Sequence, residues 1–215
     1  MSVLVNEGLN VEIIDLISNI STKLKTRTFL VGGYVRDLLL GRKSKDIDVL
    51  VIGDGISFAS ELKKKLGSKA NLQIFKNFGT AMIAYNDLEI EFVGSRKESY
   101  QKSSRNPVVS IGTFEDDISR RDFTINSVAI SLNEDSKGKI IDLFDGIQDL
   151  KKGIIKTPKD PKITFYDDPL RMRLSRAMEK KGFQVKDAKT VENAIKMVIS
   201  APPKFALVDL RLEDG

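Results

Sequence analysis

The sequence predicts an α+β fold: a mixed β-sheet head with flanking helices, followed by a short all-helical segment. Three observations carry this. Up to about residue 155, short apolar runs bounded by Gly, Asn and Asp alternate with stretches of helical period. Within that part, "LQIF" (72–75), "TAMIAYN" (80–86) and "LEIEFVGS" (88–95) follow one another with only turn residues between them. After Pro158 and Pro161 the strand pattern stops, and 167–183 and 187–200 read as helices. The division falls at 157, giving a mixed unit over 1–157 and a helical segment over 158–215.

The elements follow in order. Residues 9–25 place apolar side chains at 13, 14, 17, 20 and 24, the spacing of one helix face. "TFLVGG" reads as a short buried strand ending at Gly32-Gly33, and "YVRDLLLG" as a short helix stopped by Gly41. "DIDVLVIG" (46–53) is a strand and "ISFASELKKKLGS" (56–68) an amphipathic helix. After the three strand runs, 95–119 is polar and poor in periodicity, and most of it reads as a mobile loop. "FTINSVAISLN" (123–133) reads as a helix start or a buried segment, and "GKIIDLF" (138–144) as a strand.

Composition excludes whole classes of chemistry. The 215 residues contain no Cys and no His, which removes disulfides, thiol nucleophiles, Ser-His triads and zinc sites. A metal here must be hard and oxygen-bound, Mg²⁺ or Mn²⁺. No run approaches the ~20 apolar residues of a membrane helix. The opening "MSVLVNEGLNVEIID" lacks a basic n-region followed by an apolar core, so a cytoplasmic protein is expected. The net charge of +5 is compatible with a polyanionic partner and equally with an ordinary basic surface.

Several constellations can carry chemistry. Asp46 and Asp48 alternate with Ile47 and Val49, so both carboxylates project from one strand face with Cα atoms ~7 Å apart. Like charges so placed invite a bridging divalent cation; two solvated acids at a strand edge are the ordinary alternative. Glu89 and Glu91 share a face of the predicted 88–95 strand, and Glu91 is the preferred third carboxylate, with Glu89 left open. Gly32-Gly33 ends a strand and opens a helix, offering backbone N–H groups to a phosphate, though a plain turn has the same sequence. Arg36 can reach the same anion or pair with Asp37 or Asp46. Asp122 is placed to cap a following helix, with Asn126 one turn on and Arg121 able to meet a phosphate. Asp168 precedes Pro169 as an N-cap, and Arg171 lies three residues further on the same surface. That pair offers an acceptor and a forked donor to a base edge, or forms a simple ion pair.

Together the strings "GGYVRDLLLGRKSKDID", "EFVGSRKESY", "RRDFTINSVA", "DLFDGIQDLKKGIIK" and "DDPLRM" resemble the tRNA nucleotidyltransferase/poly(A) polymerase family in its bacterial-type class II form. They occur in the family's order and cover 29–172 almost continuously. The resemblance implies a nucleotidyltransferase-like head followed by a helical neck, and addition of CCA or oligo(A) to RNA 3′ ends from CTP and ATP. It implies a two-metal Mg²⁺ site on Asp46 and Asp48 with Glu91, and Gly32, Gly33 and Arg36 on the triphosphate. Arg121, Asp122 and Asn126 fall in the motif around the nucleotide sugar and phosphates. Asp142, Gly146 and Asp149 match the flexible connection between head and neck. The 95–119 segment corresponds to one that helps switch between CTP and ATP.

Asp168 and Arg171 match the pair that reads the base. The neck string runs one residue short after Arg171, which places Arg173 and Arg176 on the family's two later arginines. Beyond about 190 no family pattern follows, so the helical segment is expected to be a truncated neck. The expected activity is CCA addition to a tRNA 3′ end, ahead of polyadenylation, because strings specific to polyadenylation are missing. The alternative is a head that binds nucleotide and RNA without catalysing.

Overall fold

The structure, a computed structural model, describes residues 11–99 and 108–160. Helix α1 (Val11–Leu24) buries Ile13, Ile14, Ile17 and Ile20, as the spacing predicts. Leu24, the fifth residue of that pattern, is instead exposed at the helix's final turn. Strand β1 (Thr28–Val31) leads without a gap into α2 (Gly32–Leu39), and β2 (Asp46–Val51) follows. Helix α3 (Gly55–Leu66) starts at Asp54, whose carboxylate accepts from the backbone N–H groups of Ile56 and Ser57 at 2.9 and 3.1 Å. This is the capping that an Asp at a helix entry provides.

Strands β3 (Ala70–Phe75), β4 (Thr80–Tyr85) and β5 (Leu88–Gly94) form the predicted meander. A separate two-stranded ribbon pairs β6 (Arg96–Ser99) with β7 (Val108–Ile111). Helix α4 (Phe114–Ser119), strands β8 (Ala129–Ser131) and β9 (Ile140–Ile141), and helix α5 (Gly146–Lys152) complete the described chain. The main sheet has seven strands in the order β3-β4-β5-β2-β1-β8-β9. It is mixed: β2 runs parallel to β5, and every other neighbouring pair is antiparallel. The α+β architecture expected from the sequence is therefore the one observed.

Strand alternation splits the sheet into two faces. Leu30, Ile47, Val49, Ile83, Ile90 and Phe92 pack with the buried residues of α1, α2 and α3 in the larger core. On the opposite face Phe29, Val31 and Leu50 pack under Phe114 and Ile118 of α4 in a smaller one, with the Phe29 and Phe114 rings 4.4 Å apart. The small core covers only part of that face. The rest carries the acids of β2 and β5.

One expectation needs correction and one open alternative is resolved. The 95–119 stretch is not mostly loop, because most of its described residues lie in β6, β7 and α4. Helix α4 has a single buried i,i+4 pair, Phe114 and Ile118, too short a period to register. Its start was legible: Thr113 Oγ1 accepts from Asp116 N–H and the Asp116 carboxylate accepts from Thr113 N–H, a reciprocal capping box. Of the two readings of 123–133 the buried segment holds and the helix start does not: a 3₁₀ turn at Thr124–Asn126 leads into strand β8, with 128–132 buried. The helices expected over 167–183 and 187–200 lie outside the described residues.

Candidate active site

The site forms where β1, β2 and β5 meet the start of α2. Gly32 adopts φ +71°, and a Cβ there would sit 2.4 Å from Asp48 Oδ2, so the turn can approach the acid only as glycine. The next residue, Gly33, donates its backbone N–H to the Asp48 carboxylate. The helix start thus faces an acid within the protein, which draws the backbone into close register with β2.

Register assembles the carboxylates. Asp48 stands opposite Val31 on β1 and opposite Glu91 on β5, and Asp46 stands opposite Glu89. Neighbouring strands lie about 4.8 Å apart, so four acids crowd one patch of the sheet. They line an open cleft of about 380 Å³ together with Gly33 and Arg36. Asp48 is pushed up from 3.8 to about 6, chiefly by burial and further by the charges of Glu91 and Asp46. The Arg121 guanidinium and the Gly33 N–H pull it the other way. A carboxylate held in its costly form by like charges is the environment a cation relieves.

The donors are hard oxygens, as Mg²⁺ requires. Among the described residues no three acidic side chains converge as a complete metal cage. Mg²⁺ is commonly held by one or two carboxylates and completed by substrate phosphates and water, so the residues present fit such an ion. Glu91, in register with Asp48, is better placed as a third acid than Glu89, which pairs with the more exposed Asp46.

Two arginines flank the acids. Arg36 donates Nε and Nη2 to Asp37 at 3.0 and 3.1 Å and Nη1 to Asn126 Oδ1 at 3.0 Å. Of the two partners left open for it, Asp37 is the one used. Asn126 in turn donates Nδ2 to Asp122 at 3.1 and 3.2 Å. Asp122 does not cap a helix, because only a 3₁₀ turn follows and that turn has no side-chain cap. It accepts instead from Phe123 N–H and from Asn126, so it orients Asn126 and, through it, Arg36.

Arg121 donates Nη2 to Asp117 Oδ2 at 3.1 Å, while its Nη1 comes within 3.4 Å of the point where a Gly32 Cβ would lie. Asp117 was not singled out from sequence. Its signal is an acid four residues before an arginine, a common ion-pair spacing that only its burial makes distinctive.

Residues 142–149 are docked against this machinery. The Asp142 carboxylate accepts from Gly146 and Ile147 N–H at 2.8 and 2.9 Å, and Thr124 Oγ1 donates to Asp149 at 2.7 Å. Asp142 thus holds the start of α5, while Gly146 and Asp149 set that helix against the turn that carries Asn126. Asp168, Arg171, Arg173 and Arg176 lie outside the described residues.

A mixed sheet that presents paired strand carboxylates to a Gly-Gly helix start defines the nucleotidyltransferase-like α+β class of fold. Residues 28–156 match the poly A polymerase head domain, and the chain belongs to that family. The A-adding tRNA nucleotidyltransferase of Aquifex aeolicus is 36% identical over 175 residues, which is 81% of this chain and 20% of that protein. A CCA-adding enzyme, apo form II, superposes with TM-score 0.71 at 33% identity, covering 92% of this chain and 46% of its own. A tRNA nucleotidyltransferase complexed with a primer tRNA and an incoming ATP analog superposes with TM-score 0.64 at 32% identity, covering 86% and 50%. The chain thus spans a fifth of the Aquifex protein and about half of these solved chains. No described helix is long and apolar enough to cross a membrane.

Proposed function

We propose that this chain is a cytoplasmic, template-independent RNA nucleotidyltransferase that adds C and/or A residues from CTP and ATP to a tRNA 3′ end. The observation that carries this reading is the register of Asp48 with Glu91 beneath the Gly32-Gly33 turn, with Asp46 two residues before on the same strand face. Asp46 and Asp48, with Glu91, would hold the catalytic Mg²⁺ ions, which neutralise the triphosphate and promote attack by the RNA 3′-hydroxyl. Gly33 and Arg36 would grip the triphosphate, Arg36 braced by Asp37 and Asn126. Arg121 would meet a phosphate oxygen opposite the acids, and Asp122 and Asn126 would border the sugar. Residues 1–157 act as the head. In the segment 158–215, Asp168 and Arg171, with Arg173 and Arg176 behind them, would read the base.

Nothing in this scheme needs His or Cys, since the work is alignment and charge stabilisation. A second reading, addition of A alone to a tRNA already ending in CC, is favoured by the A-adding activity in the name of the Aquifex relative. Two primers separate them: tRNA lacking CCA, and tRNA ending in CC, each with labelled CTP and ATP. Extension of both supports CCA addition, and extension of the second alone supports A addition. D46A should lose about a thousandfold or more in incorporation with its melting temperature preserved. Wild-type rates in D46A would remove the metal assignment. Binding of CTP and ATP without extension of either primer would define a head that binds nucleotide and does not catalyse.

A further inference from the structure

We infer that Asp117 is a positioning residue for the triphosphate, acting through Arg121; the inference rests on the nucleotidyl-transfer reading of the site. Asp117 is 1% exposed, yet it is a carboxylate in a six-residue helix. A buried charge of this kind is strongly unfavourable unless paired and hydrogen-bonded. Both of its oxygens are paired: Oδ1 accepts from Arg120 Nε at 3.0 Å and Oδ2 from Arg121 Nη2 at 3.1 Å. Its place is fixed from both sides, by the Thr113–Asp116 capping box before it and by Phe114 and Ile118 in the small core around it.

The consequence falls on Arg121. Its Nη1 faces the Gly32 turn, 3.4 Å from a point that lies only 2.4 Å from Asp48 Oδ2. A guanidinium so near a carboxylate would ordinarily close on it as a bidentate pair. Here it does not. Asp117 holds one edge of the fork, and Arg121 reaches Asp48 only through its field. Asp48 thereby keeps its oxygens for a cation, and Arg121 keeps Nη1 for a phosphate oxygen beside it. Release of the Asp117 edge lets Arg121 settle on Asp48, which removes an anion donor and a cation ligand together. That is a loss of substrate binding distinct from any loss of folding.

The probe is inorganic pyrophosphate with Mg²⁺, titrated against the full chain as wild type, D117N, R121A and the double variant. D117N and R121A should each bind about tenfold more weakly, the worth of one charge-assisted hydrogen bond. The double variant should bind no more weakly than R121A alone, because Asp117 acts through Arg121. Thermal unfolding without ligand follows any structural cost separately. D117S, which removes the carboxylate without adding volume, takes the place of D117N if the latter does not fold, and should show the same loss of pyrophosphate affinity. Wild-type affinity in D117N, or in its D117S substitute, overturns the inference, as do losses that multiply in the double variant. Absence of binding by the wild-type chain would instead remove both this inference and the nucleotidyl-transfer reading.

Discussion

Asp48 shows what a single residue of this site contributes and what it costs. Its ionisation is raised to about 6 by burial first and by Glu91 and Asp46 after it. The folded chain therefore prefers the protonated form. The sign follows: this group favours the folded state below about pH 4 and loses that contribution as pH rises through about 6. A shift of this size corresponds to a loss of roughly 2–3 kcal/mol of apo-protein stability at neutral pH relative to low pH. D48N carries a neutral amide in the same place. In EDTA it should therefore be more stable than wild type at pH 8, by about 2 kcal/mol, with the advantage shrinking towards pH 4. Melting curves of both proteins across that range test this, and parallel curves would show that Asp48 is not strained by its neighbours. The same variant should lose nucleotide incorporation, a trade of stability for function of the kind active sites make.

At the scale of elements, the sequence carried some positions well and others not at all. Period-two spacing put Asp46 with Asp48, and Glu89 with Glu91, on common faces before any pairing was known. That Glu91 stands opposite Asp48 and Glu89 opposite Asp46 is set by the β2–β5 register, a long-range fact that strand patterns do not encode. The Gly32-Gly33 turn was legible because glycine doublets punctuate, while the reason for Gly32, an acid where its Cβ would be, required the neighbouring strand. Helix α4 and the 3₁₀ turn at Thr124–Asn126 were lost because elements of six and three residues show no period. Gly146 belongs with them. Its Cβ would fall 2.1 Å from the Thr124 carbonyl oxygen, so α5 can dock on that turn only as glycine. G146A should cost on the order of 2 kcal/mol through overpacking, a fall of about 4–8 °C in melting temperature. Nucleotide affinity should fall with it, because Asn126 and its bond to Arg36 sit on the displaced turn. Unchanged melting and affinity would mean that α5 is not fastened to the site.

For the molecule as a whole, charge is distributed against its average. The chain is +5 overall, yet the cleft gathers Asp37, Asp46, Asp48, Glu89 and Glu91 around Arg36, with Arg121 at its border beside Asp48. A bare triphosphate approaching that cleft meets like charge at short range, which a modest excess of distant, screened cations does not offset. Nucleotide binding should therefore be conditional on a divalent cation and visible as global stability, since a ligand that binds only the folded chain raises its melting temperature by mass action. At about 100 times its Kd, a nucleoside triphosphate with Mg²⁺ contributes about 2.7 kcal/mol, or a rise of roughly 5–10 °C for a chain of this size. In EDTA the rise should vanish for wild type, and in D46A it should be small with or without Mg²⁺. A shift of full size in EDTA would place the triphosphate on the basic exterior, away from the acids. A shift that needs Mg²⁺ but survives in D46A would leave Asp48 and Glu91 as the cation's holders and move Asp46 to the rim of the site.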